Sequence, residues 1–145
     1  MEGTNKINQS KLIRNIVGIT FGVITSILVQ KYLFNTNDNI DQKLRNVSEA
    51  TNKNCPMYVD GFTRLDNTVA LPNNKFQYNY TISIDTTIYS LSTLKTNLHQ
   101  SILNSVKTNP SLKDFRDNNV TMVYSYSDSV GHFLFKTEFA PNDYK

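Results

Sequence analysis

The sequence is poor in the residues that usually mark a chemical site. It contains one cysteine, Cys55, so no disulfide bond can form within the chain and no zinc site can be built from several thiolates. It contains no tryptophan and only two histidines, His99 and His132, which do not have the HxxxH or HxH spacing of a metal site. We therefore expect both histidines to be solvated polar residues.

The motifs of common enzymes are absent as well. The chain contains no P-loop, no dinucleotide-binding glycine fingerprint and no GxSxG sequence. Asp60, Asp66 and Asp85 do not have the regular spacing of a calcium-binding loop. The sequence therefore predicts a protein that binds no cofactor and no metal ion and is not an enzyme.

Positive charge is not concentrated as it is in nucleic-acid-binding proteins. The formal net charge is +3, and much of the excess comes from Lys6, Lys11 and Arg14 at the N-terminus. In the rest of the chain the charges are close to balanced, without a run of Lys and Arg. This pattern argues against nucleic acid as a partner.

What the sequence does contain is a long hydrophobic segment behind the basic N-terminus. Residues 15–30 carry no charged side chain, and apolar residues extend the segment to residues 12–34. About 20 apolar residues form a helix of roughly 30 Å, which matches the hydrocarbon core of a bilayer. No small-x-small cleavage site follows the segment. We predict an uncleaved transmembrane signal anchor in contact with membrane lipid.

The charge on either side of the anchor predicts its orientation. Three cationic residues precede the uncharged residues 15–30, and Lys31 alone follows them closely. The positive-inside rule then makes residues 1–11 a cytoplasmic tail of a bacterial inner-membrane protein. Residues 35–54 are predicted to form a connecting amphipathic helix, and residues 55–145 an extracytoplasmic domain in the periplasm or at the cell surface.

Small residues follow one face of the predicted anchor. Gly18 and Gly22 form a GxxxG motif, and Ser26 continues the same row. Such a row allows two membrane helices to approach closely, which makes a homodimer through this face possible. Small residues are also common in membrane helices that do not associate, and the sequence leaves both interpretations open.

Hydrophobic periodicity after the anchor predicts an α+β domain. Apolar residues recur at helical spacing in two segments, around Leu44 and around Leu98, and polar and apolar residues alternate in residues 76–84 and 120–126. Residues 57–71 also have the pattern of extended structure. The predicted order is α-β-β-α-β-β, with an antiparallel sheet and the helices packed on one face.

The strands are rich in tyrosine. Tyr78, Tyr80, Tyr124 and Tyr126 combine an apolar ring with a polar tip, which is typical of protein interfaces. Together with Leu98 and Ile102 of the predicted helix, these tyrosines are the predicted partner-binding residues. Ordinary residues at the edge of a core would give the same pattern.

The order of short motifs resembles that of AspS-type pilotins of type II secretion. The matching pieces are Tyr78-Asn79-Tyr80, a long helix that closes at Asn109-Pro110, the strand start Asn119-Val120-Thr121-Met122 and a turn at Gly131. Residues 54–66 also resemble a segment of small uncharacterised bacterial membrane-anchored proteins. The resemblance covers roughly residues 54–140. Such pilotins carry a lipobox cysteine and a disulfide bond in the domain, and this chain has neither.

The resemblance implies a domain that holds an amphipathic helix of a partner in a groove between sheet and helix. We therefore expect a non-enzymatic, membrane-anchored protein that binds a protein partner in the cell envelope, in a pilotin-like or accessory role. Two alternatives remain open. The protein could be an immunity or exclusion protein that acts at the membrane, or a carrier of lipid or another small ligand.

Overall fold

The computed structural model describes residues 39–83 and 90–145. Within these two ranges, no helix has both the length and the apolar character needed to cross a bilayer. The tail 1–11, the anchor 12–34 and the small-residue row of Gly18, Gly22 and Ser26 lie outside the described residues. These three assignments stay predictions.

The described residues form a five-stranded sheet with helices against it. A 3₁₀ turn at Pro110–Leu112 separates the second helix from the third. In chain order the helices and strands are α1 Ile40–Asn52, β1 Met57–Tyr58, β2 Thr63–Leu71, β3 Lys75–Ile82, α2 Leu91–Thr108, α3 Lys113–Asp117, β4 Thr121–Asp128, β5 Phe133–Phe139 and α4 Pro141–Tyr144.

The strands lie in the sheet in sequence order, β1-β2-β3-β4-β5. Neighbouring strands are antiparallel except for β3 and β4, which run parallel with Tyr78 opposite Tyr124. The prediction of a fully antiparallel sheet is therefore wrong for this pair. The physical reason is the connection, because a long helix between two strands carries the chain back to the end where the first strand began.

One face of the sheet forms the core, and the other faces solvent. On β3 every second side chain is buried, from Phe76 to Ile82, as the alternating sequence predicts. The apolar stripes of α1 and α2 belong to the same buried cluster as these strand residues, so both helices pack on this face. Hydrogen-bonded polar side chains, such as Asn67 and Asn79, occupy the opposite face.

Helix α1 also covers an open edge of the sheet. Strand β1 pairs only with Leu65 and Arg64 of β2, so the next residues of β2 have no neighbouring strand on that side. There Asn52 takes the place of a strand: its amide accepts from the Thr68 N–H at 2.7 Å and donates to the Thr68 carbonyl at 2.9 Å. The Ser48 hydroxyl donates to the same carbonyl at 2.8 Å. These contacts satisfy the backbone N–H and carbonyl of Thr68. Unpaired groups at a sheet edge can otherwise pair with another chain.

Candidate functional site

The four tyrosines predicted to bind a partner form one layer on the inner face of the sheet. Because β3 and β4 are parallel and in register, Tyr78 lies beside Tyr124 and Tyr80 beside Tyr126. The ring centroids of these two pairs are 5.2 and 5.3 Å apart, with the planes within 20° of parallel. The Tyr78 and Tyr80 centroids are 6.3 Å apart along β3. We call these four residues the tyrosine layer.

The tyrosine layer is buried, and so are the two helix residues predicted with it. Each of its members is at most 4 % exposed, as are Leu98 and Ile102 on the core side of α2. The rings of the tyrosine layer are therefore part of the core, since α2 and the sheet bury them together. Their part in binding a partner stays a prediction, and it requires access from between α2 and the sheet.

Two hydroxyls of the tyrosine layer are buried without a hydrogen-bond partner in residues 39–83 and 90–145. They belong to Tyr78 and Tyr126, whose rings are packed on all sides. By contrast, Tyr144 packs against the core at the N-terminal end of β4, where its hydroxyl donates to the Val120 carbonyl at 2.9 Å. A buried hydroxyl without a partner costs about 1–3 kcal/mol, and a phenylalanine would fill the same space without this cost. We call the hydroxyls of Tyr78 and Tyr126 the orphan hydroxyls. The packing of the core does not explain why these two positions carry a hydroxyl group.

Burial also fixes the protonation of the layer. Desolvation raises the pKa of all four tyrosines, and the neighbouring tyrosine hydroxyls add to the effect at Tyr80 and Tyr124. The four phenols are neutral at physiological pH. They can donate or accept hydrogen bonds but do not supply a tyrosinate base.

This burial predicts how stability depends on pH. A phenol with a raised pKa in the folded state contributes stability below its unfolded pKa of about 10, and this stability is lost as pH rises through the folded pKa. We expect the free energy of unfolding to fall steeply above about pH 10. Tyrosinate absorbance of the buried residues should then appear together with the loss of circular dichroism. Ionisation of all tyrosines in a domain that is still folded would contradict the burial of the layer.

Helix α2 is held to the sheet by one polar contact among the described residues. His99 Nδ1 and Thr137 Oγ1 are 2.7 Å apart, and the His99 ring packs on Phe139 with centroids 4.9 Å apart. His99 is exposed, as expected of a solvated residue, and makes these two contacts in addition, and His132 is exposed as well and bonds to Asp128. The remaining contacts of α2 with the sheet are apolar, through side chains such as Leu98 and Ile102.

The described residues do not assemble a cluster of metal-binding side chains. Within residues 39–83 and 90–145, no three His, Cys, Asp or Glu side chains come together as a metal ion requires. Cys55 is half-buried, and burial, followed by the charge of Asp66, raises the pKa of its thiol. A raised thiol pKa disfavours the thiolate that a nucleophile needs. What the arrangement offers is a layer of buried aromatic rings with hydroxyl groups, which can take part in binding only if α2 moves away from the sheet.

Several solved structures share this fold at low sequence identity. A Pseudomonas aeruginosa protein proposed to be secreted has a TM-score of 0.63 at 10 % identity, over 73 % of this chain and 93 % of its own. The pilotin EpsS of the Vibrio vulnificus type 2 secretion system has 0.61 at 9 %, over 73 % and 92 %. The type II secretion system pilotin AspS of Vibrio cholerae has 0.57 at 11 %, over 72 % and 92 %.

These likenesses show the fold, because identities near 10 % carry no information about individual contacts. The distant resemblance to pilotins is thus confirmed for the architecture. No curated protein sequence matches the chain. The sequence profile of a family described as Domain of unknown function (DUF8479) matches residues 38–135, which is more than half of the chain, and the protein therefore belongs to that family.

Proposed function

We propose that this protein binds a protein partner in the bacterial cell envelope and holds a segment of it between α2 and the tyrosine layer. The proposal includes the predicted anchor at residues 12–34, which would keep the domain on the outer side of the inner membrane. The fold supports an accessory role in secretion, since two proteins that share it are pilotins of type II secretion systems. The tyrosine layer supports the choice of site.

The observation that carries the proposal is the pair of orphan hydroxyls. Tyr78 and Tyr126 each bury a hydroxyl that has no hydrogen-bond partner among the described residues, in a core where Phe76, Phe115 and Phe139 show that phenylalanine is accepted. A core selected for stability alone gains nothing from these two oxygens. A partner segment with polar groups beside its apolar face would supply the missing hydrogen bonds.

The packing of α2 makes entry between helix and sheet feasible. One side-chain hydrogen bond, His99 to Thr137, ties the described part of α2 to the sheet, and the rest of the interface is apolar. By contrast, α1 is fixed to β2 by several hydrogen bonds to the backbone of Thr68. Apolar contacts can be exchanged for those of an incoming amphipathic helix without leaving polar groups unpaired. The α2 side of the core is thus the side that can open.

In-cell photo-crosslinking along α2 tests the proposal. A photoreactive residue at half-buried Asn97 or Ser101 of the full chain reports on any segment that enters beside α2, and exposed Asn67 on the opposite face is the matched control. We expect one protein adduct from the α2 positions in carbonate-washed membranes and none from position 67. Lipid adducts would favour the carrier alternative. Absence of adducts, or release of the full chain by carbonate, would contradict the proposed function.

A further inference from the structure

The two edges of the sheet differ in how they are covered. At the edge formed by β1 and β2, Ser48 and Asn52 of α1 bond to the backbone of Thr68. The other edge is β5, Phe133–Phe139, which pairs with β4 on one side and with no strand of the described chain on the other. An uncovered edge strand offers a row of backbone donors and acceptors to a strand of another chain.

The hydrogen bonds of β4 show which backbone groups of β5 point outward. Along a strand, the N–H and C=O groups of successive residues are directed to alternate sides. The Thr121 N–H donates to the Asn74 carbonyl just before β3, so the odd-numbered residues of β4 face β3 and the even-numbered ones face β5. Thr137 lies opposite an even-numbered residue of β4, and its backbone is therefore directed at β4. Its neighbours Lys136 and Glu138 direct their N–H and C=O groups to the open edge.

This edge is accessible. The backbone groups of Lys136 and Glu138 make no further hydrogen bond within residues 39–83 and 90–145. Both side chains are exposed, on the face of the sheet opposite the buried Thr137. The helix that follows β5 turns away from the edge, because Tyr144 of α4 donates to the Val120 carbonyl just before β4.

The charges along this edge are self-complementary. When β5 pairs antiparallel with β5 of a second copy about a twofold axis at Thr137, Lys136 of each copy lies opposite Glu138 of the other. These are the residues that face the edge, so each such pair exchanges N–H···O=C bonds in both directions. A shift of the register by two residues would place Lys136 opposite Lys136, or Glu138 opposite Glu138. Like charges directly opposite each other destabilise strand pairing, so the charges select the register centred on Thr137.

The residues that flank the centre of β5 limit how far the pairing can extend. The register shift between β4 and β5 makes Leu134 a bulge at one end. At the other end the Ala140 N–H donates to the Asp143 carboxylate at 2.7 Å, and Pro141 has no N–H. Bulges, prolines and lysines are features that prevent unlimited pairing at an edge. A central lysine is compatible with one particular partner strand, which is a strand that brings an opposite charge, as Glu138 of a second copy does.

We propose that this protein forms a symmetric dimer in which β5 pairs antiparallel with β5 of a second copy, with Lys136 opposite Glu138. The sheets of the two copies then continue into one another. Glu138 also forms an ion pair with Lys75 of its own chain at 2.5 Å, and its carboxylate has acceptor positions left for a second cation. The dimer does not use the site between α2 and the tyrosine layer, so the inference is independent of the proposed function.

Exchange of the two charges tests the proposal by sedimentation equilibrium of the full chain in density-matched detergent. We expect the natural sequence to show a monomer–dimer equilibrium. Lys136→Glu and Glu138→Lys, each alone, place like charges opposite each other and should weaken dimerisation at least about tenfold. The variant with both changes pairs opposite charges again and should dimerise like the natural protein. An equimolar mixture of the two single variants should form the heterodimer, because each supplies the charge that the other lacks.

Controls on the other side of the sheet separate this effect from a general effect of charge. Glu49→Lys and Lys53→Glu change exposed residues of α1, beside the covered edge, and should leave dimerisation unaltered. Circular dichroism melting establishes that each variant is folded. A natural protein that stays monomeric at every concentration would overturn the inference. A dimer that the single changes leave intact, such as one formed through the hydrophobic segment, would overturn it too, and so would a mixture of the single variants that forms no heterodimer.

Discussion

Replacing Asn52 by alanine is expected to lower the free energy of unfolding by about 2–3 kcal/mol. The substitution removes both hydrogen bonds to the backbone of Thr68, at 2.7 and 2.9 Å, and the contact at 3.1 Å with its hydroxyl. The Thr68 carbonyl keeps its bond from Ser48, but the N–H loses its partner at a buried position. The loss therefore includes an unsatisfied donor in addition to two ordinary hydrogen bonds.

Urea unfolding of the detergent-solubilised full chain measures this effect. Asn46→Ala is the matched control, because Asn46 is on the same helix and its side chain contacts only Gln42 at the surface. We expect the control to change stability by less than about 0.5 kcal/mol. Equal effects of the two substitutions would mean that α1 does not protect the β2 edge in the way described.

The same geometry gives Asn52→Ala a second expected consequence. With Asn52 removed, β2 presents a free N–H and a partly free carbonyl at Thr68, next to a strand β1 that is only two residues long. An open sheet edge pairs readily with another chain. The variant is therefore expected to associate as concentration rises, which light scattering can detect.

The parts of the fold that depend on local periodicity could be predicted from the sequence. The alternation from Phe76 to Ile82 gave both the strand and its buried face, and the stripe from Leu94 to Val106 gave α2. Alternation contains no information about which strand lies alongside. The direction of β3 against β4 was missed for this reason, although the helix between them is the signal of a parallel pair.

Only part of the candidate site could be predicted from the sequence. The alternating pattern placed Tyr78 and Tyr80 on one face, but tyrosine suits both a core and an interface, so residue type could not decide their exposure. That Tyr144 has a hydrogen-bond partner while Tyr78 and Tyr126 have none depends on distant carbonyls, which only the folded chain brings near. A local sequence pattern therefore cannot predict that a buried hydroxyl lacks a hydrogen-bond partner.

The loops after Asp60 and Asp128 had a weak sequence signal that the prediction did not use. Asp60 precedes Gly61-Phe62, and Asp128 precedes Ser129-Val130-Gly131, and aspartate in these positions commonly accepts from backbone N–H groups two residues on. Desolvation raises the pKa of Asp128, but the bonds from the backbone of His132 and Val130 act together with the His132 side chain, and the net effect is a lowered pKa. The sequence predicted the turn at Gly131, but not that the carboxylate would fix the neighbouring apolar side chains.

The double substitution of Tyr78 and Tyr126 by phenylalanine is expected to stabilise the domain and to abolish binding. Each change removes a buried hydroxyl without a partner, so we expect the free energy of unfolding to rise by about 1 kcal/mol per site. Tyr144→Phe is the matched control, because it removes a hydroxyl bonded to Val120 and should lower stability by about 1 kcal/mol. Urea unfolding of the double variant and of the Tyr144→Phe control measures both effects.

A binding measurement distinguishes hydroxyls that contact a partner from hydroxyls that have no function. If a partner segment enters beside α2 and bonds to the two hydroxyls, the double variant should lose at least 90 % of the adduct formed from position 97 or 101, which corresponds to about 1.4 kcal/mol or more. Because the variant is expected to be the more stable protein, unfolding cannot explain such a loss. Full adduct yield would remove the support that the orphan hydroxyls give to the proposed site. A fall in stability in place of a rise would show that the hydroxyls have partners in the folded protein.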